Sequence, residues 1–337
     1  MNREYLLKII DNWKGKRVGI LGDIMLDEYI IGRVSRISPE APVPIVEVEE
    51  EYSLLGGASN VANNIKSLLG EPILFGVIGK DSGGEKIISL LREKGIFSKL
   101  YLDRNRPTTQ KTRIIALNQQ VVRVDREVKD FISEEIEEII FQNIEDCINE
   151  IDIFVLSDYA KGVLTPKLTS EVITLIKSKG KKVIIDPKGR DYKKYKGANL
   201  ITPNEKEAQI AVNMEDSFDI FSCAKKLWDI TEGEGILITR GEKGMFLFEP
   251  KSQIFIPALS SQVRDVTGAG DTVVATLSLA LAGGGSLLES ALLSNFSASI
   301  TVRKLGTATV TPKELISIIP ESIELRDGWI FFKKDKE

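Results

Sequence analysis

Four residues, Gly268-Ala269-Gly270-Asp271, stand directly before the apolar run "TVVATLSLALA" (272–282). Glycines let the backbone approach a ligand closely, and the first N–H groups of a helix have no partner inside it. With the helix dipole added, such a turn can receive an anion. Asp271 falls in the first helical turn, beside that anion, where a carboxylate can take a proton. A helix cap behind a flexible turn would carry the same residues, so the turn alone leaves both readings open. The chain has no histidine. That removes Ser-His-Asp and Cys-His catalysis, H-E-x-x-H metalloproteases and any histidine base. A proton abstracted here goes to a carboxylate, a lysine, a tyrosine or a thiol.

A second polar cluster lies in "LLGGASNVANNIKSLLG" (54–70). Gly56-Gly57 precede a helical pattern in which Val61, Ile65 and Leu68 recur at helical spacing. Asn60, Asn63 and Asn64 place amides near its start, and amides both donate and accept, as a polyol requires. N-capping by Ser59 or Asn60 is the plainer alternative. No G-x-x-x-x-G-K-[ST] occurs, and no strand leads into G-x-G-x-x-G, so phosphate binding follows another design.

These turns need strands and helices to hold them. Continuous apolar runs at 17–23, 72–79, 151–158, 181–187, 198–204 and 234–241 read as strands covered on both faces. Helical patterns at 82–94, 133–150, 165–179, 205–212 and 217–232 alternate with them. The alternation predicts a doubly wound, mainly parallel α/β sheet with ligands beyond the carboxyl ends of its strands. Two segments break the pattern: 42–52 and 108–127 alternate apolar and polar residues, with Asn118-Gln119 at a hairpin tip. They predict a small antiparallel lid, built from about 30–52 and 108–127, that closes over a ligand or pairs with a second subunit. One domain over 1–337 is expected.

Composition narrows the partners. A net charge of −4 gives no clustered cationic surface for nucleic acid. Lys181-Lys182 and Lys193-Lys194 read as solvated faces. Cys147 and Cys223 form no C-x-x-C, and the N-terminal stretch is a short amphipathic helix with no signal-peptide pattern. No run reaches the length of a membrane span, so a reduced, cytoplasmic setting is expected.

Three motifs in order carry a resemblance. "GGASNVANN" (56–64), "TPNEKEA" (202–208) and "DVTGAGDT" (265–272) resemble the sugar-binding, N-x-x-E and C-terminal signatures of the PfkB family of ribokinase-like carbohydrate kinases. The likeness spans essentially the whole chain; the one departure is Thr276, where the signature has Ala or Gly. "LGDIMLDEYIIGRVSRISPEAPVPIVEV" (21–48), "SDYAKGVLT" (157–165), "DPKG" (186–189) and "KLGTATVTP" (304–312) further resemble the heptose-7-phosphate kinases of lipopolysaccharide-core precursor synthesis. In bifunctional members of that group a nucleotidyltransferase domain with an H-x-G-H motif follows, and that second activity is expected to be absent here.

The resemblance implies ATP-dependent phosphorylation of the anomeric hydroxyl of D-glycero-D-manno-heptose 7-phosphate. Another acceptor (fructose 1-phosphate, tagatose 6-phosphate, a nucleoside) or a silent sugar-binding regulator are the alternatives. It implies Asp271 as base, with the amides of Gly268, Ala269 and Gly270 facing the transferred phosphoryl group. Asn204 and Glu207 would organise Mg²⁺ and the ATP phosphates, with Glu207 acting through water. Thr239, Gly241 and Gly244 would lie near the nucleotide phosphates, and Asn295 near the adenine. Asp27, Gly57 and Asn60 would meet the sugar, and Arg36, Arg113, Lys161 and Lys188 its phosphate. Asp265 and the Thr267 carbonyl are candidates for a K⁺ site. A homodimer through the lid is expected.

Overall fold

The computed structural model describes residues 3–117, 119–214, 218–259, 263–304 and 306–333. The first half of the chain runs α1 (Arg3–Asp11), β1 (Arg17–Gly22), β2 (Ile24–Ile37), β3 (Pro44–Gly57), α2 (Ala58–Ser67), β4 (Glu71–Gly79), α3 (Ser82–Glu93), β5 (Phe97–Asp103), β6 (Thr109–Ala116), β7 (Gln119–Arg126), α4 (Glu134–Cys147) and β8 (Ile153–Ser157). Then follow α5 (Pro166–Ser178), β9 (Lys182–Asp186), β10 (Leu200–Ile201), α6 (Glu205–Ala211), α7 (Ile220–Thr231), β11 (Gly235–Thr239), β12 (Met245–Glu249) and β13 (Ser252–Ile256). The last elements are α8 (Ala269–Ala282), α9 (Leu287–Thr301), α10 (Pro312–Ile318), β14 (Ser322–Arg326) and β15 (Trp329–Lys333).

Eleven strands form the main sheet, in the order β14-β15-β13-β12-β11-β10-β9-β8-β1-β4-β5. From β11 to β5 every pairing is parallel, as the βα alternation requires. Strands β1, β4 and β8 are buried on both faces, which is why they read as unbroken apolar runs, whereas β5 at the edge is largely half-exposed. One core layer packs α1, α2, α8 and α9 on one face, and a second packs α4, α5 and α7 on the other. The sheet continues past β11 at one edge through antiparallel pairings broken by one parallel contact of β13 with β15, an extension without a counterpart in the predicted alternation. The strand expected at 198–204 is only the two-residue β10.

Helix α8 occupies the centre of its layer. Residues Asp271 to Ala280 are buried without interruption, so the helix is apolar on all sides. It ends where Gly283 and Gly285 close a turn onto Leu279 and Ala280, with Gly284 at φ 94°.

The second sheet has the order β3-β2-β6-β7. Its outer pairings are antiparallel, but β2 and β6 run parallel, so the sheet is mixed where an antiparallel one was expected. Parallel neighbours need a long crossover, and α2 through β5 supply it. The strand from Ile24 also starts earlier than the expected lid. Gln119 pairs with Ala116 across the hairpin end, while Asn118 lies outside the described residues. Beyond its root the sheet is open to solvent: all of β7 is exposed, as is most of β3.

Candidate active site

Strand ends and helix starts converge at the carboxyl edge of the parallel sheet. Gly268 takes a left-handed conformation (φ 75°) and starts α8. A Cβ there would approach Asn60 Nδ2 to 2.9 Å, so the turn and α2 are in near contact. Gly57 (φ 56°) plays the matching part at the start of α2, where a Cβ would lie 2.4 Å from the Asp23 carbonyl. No side chain caps α2: Ser59 Oγ donates instead to the Gly56 carbonyl, and Asn60 looks elsewhere.

Asn60 faces Asp271. Its amide donates to Asp271 Oδ2 at 2.6 Å, and the Tyr159 hydroxyl donates to Oδ1 at 2.5 Å. Asp271 is 4% exposed. Burial pushes its carboxyl up from 3.8 to about 6; the Tyr159 and Asn60 hydrogen bonds oppose that, Asp27 adds to it and Lys111 opposes it. Asn64 is a brace: it donates to the Asn60 carbonyl and accepts from Thr272 Oγ1 on α8. Such a carboxylate, part protonated near neutrality and gripped at both oxygens, suits a general base.

Two cavities meet at Gly270. One, of about 240 Å³, is mainly apolar: Met245, Ala258, Leu259, Val273 and Val302 line it with Thr239, Gly241, Gly244, Ala269 and Asn295. The other, of about 130 Å³, is polar, with Asp158, Tyr159, Asp186, Lys188, Asn204 and Glu207. Thr239, Gly270 and Val273 line both. Nothing stands within 4 Å of where a Gly270 Cβ would be, so the backbone there is open to a ligand. The Ala269 amide, by contrast, already donates to the Val266 carbonyl at 3.2 Å. Gly244 is needed for close approach, since a Cβ would fall 2.0 Å from the Ile256 carbonyl. Asn295, expected to face a ligand, donates its side-chain amide to the Pro257 carbonyl at 2.9 Å.

Asn204 and Glu207 form a reciprocal capping box on α6, each side chain accepting from the other's backbone N–H at 2.9 Å. The other Glu207 oxygen takes Lys188 Nζ at 2.5 Å. Lys188 is thus tied to the Asn204–Glu207 box and lines the polar cavity. Among the described residues no group of three acidic, cysteine or histidine side chains could hold a metal by itself. A divalent ion would come with phosphates, and both Glu207 oxygens being engaged fits a contact through water. Burial and the charges of Asp271, Glu207 and Asp158 hold Asp186 well above the usual carboxylate range. A cation would relieve that crowding.

On the other side of Asp271, Asp27 and Arg113 form a buried pair at 2.6 Å, with Arg113 over the Tyr29 ring. Lys111, the register partner of Asp27, projects near the Tyr159 ring. Lys161 is close by and pairs with Glu127 at 2.7 Å. Arg36 is different. It is exposed, nine residues beyond Asp27 on β2, so about 30 Å along the strand separates it from the site of its own chain. Asp265 uses both carboxylate oxygens to accept the N–H groups of Thr267 and Gly306, each at 2.9 Å. That ties two loops together.

Sequence reasoning missed Asp23, Tyr159, Lys111 and Asp186. Asp23, 1% exposed, accepts the backbone N–H groups of Tyr159, Lys161 and Val163 and so fixes the loop after β8. Asp158 accepts from Lys194 Nζ and the Tyr195 hydroxyl. Lys194 is thus a buried partner where a solvated face was expected, and Lys181 caps the carbonyls of Ile148, Asn149 and Ile151. The stretches "SDYAKGVLT" and "DPKG" carried a resemblance that includes Asp158, Tyr159 and Asp186, without a role for them.

A mainly parallel sheet with a glycine turn at a central helix gives the ribokinase-like fold. The profile of the pfkB family carbohydrate kinase matches residues 16–314, and the chain belongs to that family of ATP-dependent sugar kinases. It is 48% identical to the bifunctional protein HldE of Desulfatibacillum aliphaticivorans, over 89% of this chain and 62% of that protein. With the bifunctional protein HldE of Trichlorobacter lovleyi it shares 42% identity over 97% of this chain and 67% of the other. The chain thus spans about three fifths to two thirds of the length of these relatives. The fold is that of phosphofructokinase-2 from Escherichia coli in complex with potassium (TM-score 0.75, 21% identity, 90% and 98% of the two chains covered). Ribokinase of Arabidopsis thaliana complexed with ribose and ATP is similar (TM-score 0.69, 21% identity, 90% and 98% covered). Among the described residues no helix is long and apolar enough to cross a membrane.

Proposed function

We propose that this kinase transfers the γ-phosphoryl group of ATP to the anomeric hydroxyl of D-glycero-D-manno-heptose 7-phosphate. One observation carries the choice of acceptor. Two of the four stretches that resemble heptose-7-phosphate kinases, 21–48 and 157–165, supply Asp27 (the partner of Arg113), Tyr159 (on Asp271) and Lys161, which in this reading meet the acceptor. Lys111 and Arg113 add cationic charge beside them.

In this reading the adenine enters the apolar cavity and the phosphates pass Gly270 into the polar one. The free backbone at Gly270 faces the transferred group, where developing negative charge is stabilised. Ala269 contributes only by giving up its bond to Val266. Asp271 takes the proton of the attacking hydroxyl, which grows acidic as its bond to phosphorus forms. Asn204 and Glu207 would hold Mg²⁺ through water; when bound, the ion neutralises phosphate charge. Lys188 sits where it can follow those phosphates. Asp265 and Thr267 would hold a K⁺ ion as an activator, and replacing KCl by NaCl should then lower kcat. The lid strands carry the C2 dimer interface, so each Arg36 reaches a site only across that interface.

A coupled ADP-release assay tests the reading on heptose 7-phosphate, fructose 1-phosphate, tagatose 6-phosphate, a nucleoside and unphosphorylated sugars. The heptose phosphate should give the highest kcat/KM. Preference for an unphosphorylated sugar would overturn the assignment.

A further inference from the structure

We propose that Tyr159 is a positioning residue for Asp271, its phenol donating to Oδ1 so that the carboxylate meets the acceptor hydroxyl charged and in one orientation. The proposal rests on Asp271 being the base. Its first support is the grip itself. Asn60 from α2 holds Oδ2 and Tyr159 from the loop after β8 holds Oδ1, from separate elements. An ionised carboxylate has about four lone-pair directions, so one remains on each oxygen for the acceptor.

The second support is how firmly the phenol is aimed. The three amides of Tyr159, Lys161 and Val163 all end on Asp23. Ala160 (φ 54°) and Gly162 (φ 94°) take left-handed conformations between them, and a Cβ on Gly162 would lie 2.0 Å from the Asp130 carbonyl. A backbone in that state is costly for alanine and is kept only where the surroundings over-determine it. Here the buried Asp23 does so.

The third support is the charge around the pair. Asp27 with its partner Arg113 on the lid, Lys111 beside the phenol ring, and Asp186 at the end of β9 face Asp271 and Tyr159. Burial and the neighbouring Asp271 and Asp186 charges push the phenol well above its usual value. It therefore stays protonated and can only donate to the carboxylate. A donor to the charged form favours that form, by roughly one pH unit for a single strong bond.

The test is the pH dependence of kcat/KM for heptose 7-phosphate at saturating Mg-ATP. The acidic limb of the unmodified enzyme should fall near the Asp271 value of about 6. In Tyr159→Phe it should move up by about one unit, giving an activity deficit of roughly threefold at pH 6.5 that closes by pH 8.5. Placing a fluorinated tyrosine at 159 alone keeps the packing, makes the phenol a better donor, and should move the limb the other way. This second variant remains informative if Tyr159→Phe does not fold. A limb unmoved in the fluorinated enzyme, or a Tyr159→Phe loss uniform across pH, overturns the proposal. Asp271→Asn serves as the separate control: activity retained there counts against the base itself, whereas an inactive Asp271→Asn with an unmoved limb counts against Tyr159 alone.

Discussion

Replacing Asp271 by Asn should cost activity and, at neutral pH, return stability. The folded-state value of about 6 against an ordinary 3.8 is a difference of about 2.2 units. At 1.36 kcal/mol per unit this is about 3 kcal/mol by which the buried charge weakens the fold once ionised. The sign follows from a raised value in the folded state. The associated stability is fully present below 3.8 and is lost as pH climbs through about 6. Asparagine never ionises and escapes this loss. Its oxygen can keep the Asn60 amide while its NH₂ meets the Tyr159 oxygen, which then accepts where it had donated. Exchanging two donors to a carboxylate for this neutral arrangement costs about 1 kcal/mol. Part of the gain therefore remains at neutral pH, and its slope with pH carries the test. The melting temperature of Asp271→Asn minus that of the unmodified protein should rise by several degrees between about pH 4 and 7. At pH 7 and above, where the base of the unmodified enzyme is ionised, kcat should be at least about 100-fold down, the usual contribution of a general base. Scanning calorimetry at fixed ionic strength and a coupled ADP assay read the two effects. A pH-independent difference in melting temperature would refute the buried-charge reasoning, and near-normal turnover would remove Asp271 from the chemistry.

Glu207→Gln should raise the Mg²⁺ concentration needed for half-maximal rate, with KM for the sugar little changed; coincident Mg²⁺ titration curves would exclude the metal-organising role. Lys161→Ala should raise KM for the phosphorylated sugar roughly tenfold, since one charge-assisted contact is worth about 1.5–3 kcal/mol, and leave an unphosphorylated analogue unaffected. Lys188→Ala, on the Glu207 side, should act on KM for ATP instead; an effect confined to the sugar would reverse that placement. The exposed Val48, Val122 and Val124 of the small sheet should be covered in a dimer, so Val122→Lys should shift light scattering toward a monomer. A monomer in the unmodified protein at micromolar concentration would refute the lid interface.

Local chemistry made part of this legible. A continuous apolar run marks a strand with two covered faces, and β1, β4, β8, β9 and β11 were all visible that way. The glycine turn announced the start of α8 because its residues are consecutive. What stayed hidden joins distant segments. Asn60 reads as a helix cap or a sugar ligand until α2 is seen against α8, which brings it to Asp271 across 211 residues. Tyr159 carries no signal in a loop, and its role exists only once Asp23 has pinned that loop. Lys188 and Lys161 lie in stretches of equal resemblance, yet the loops after β8 and β9 give them different partners, Glu127 for Lys161 and Glu207 for Lys188. The parallel pairing of β2 with β6 was equally out of reach, since alternation reports exposure and not strand direction.

The acids at the carboxyl edge of the sheet explain why this arrangement works as a kinase site. Asp23 and Asp158 are satisfied internally, one by three backbone amides and the other by Lys194 and Tyr195. Burial nevertheless raises Asp23, and it raises Asp271 and Asp186 as well, Asp271 in spite of the Tyr159 and Asn60 hydrogen bonds. A negatively charged nucleotide would be repelled from such a place unless cations came with it, which is why Lys188 and a hydrated metal beside Glu207 belong to the same reading. Asp23 and Asp158 hold the segments that carry Tyr159 and Lys194, while Asp271 and Asp186 carry buried charge that a cation would relieve. If that division is right, adding a nucleotide with Mg²⁺ should raise the melting temperature far more than the same nucleotide with chelator. Equal shifts would mean that the acid cluster does not discriminate and that the metal enters elsewhere.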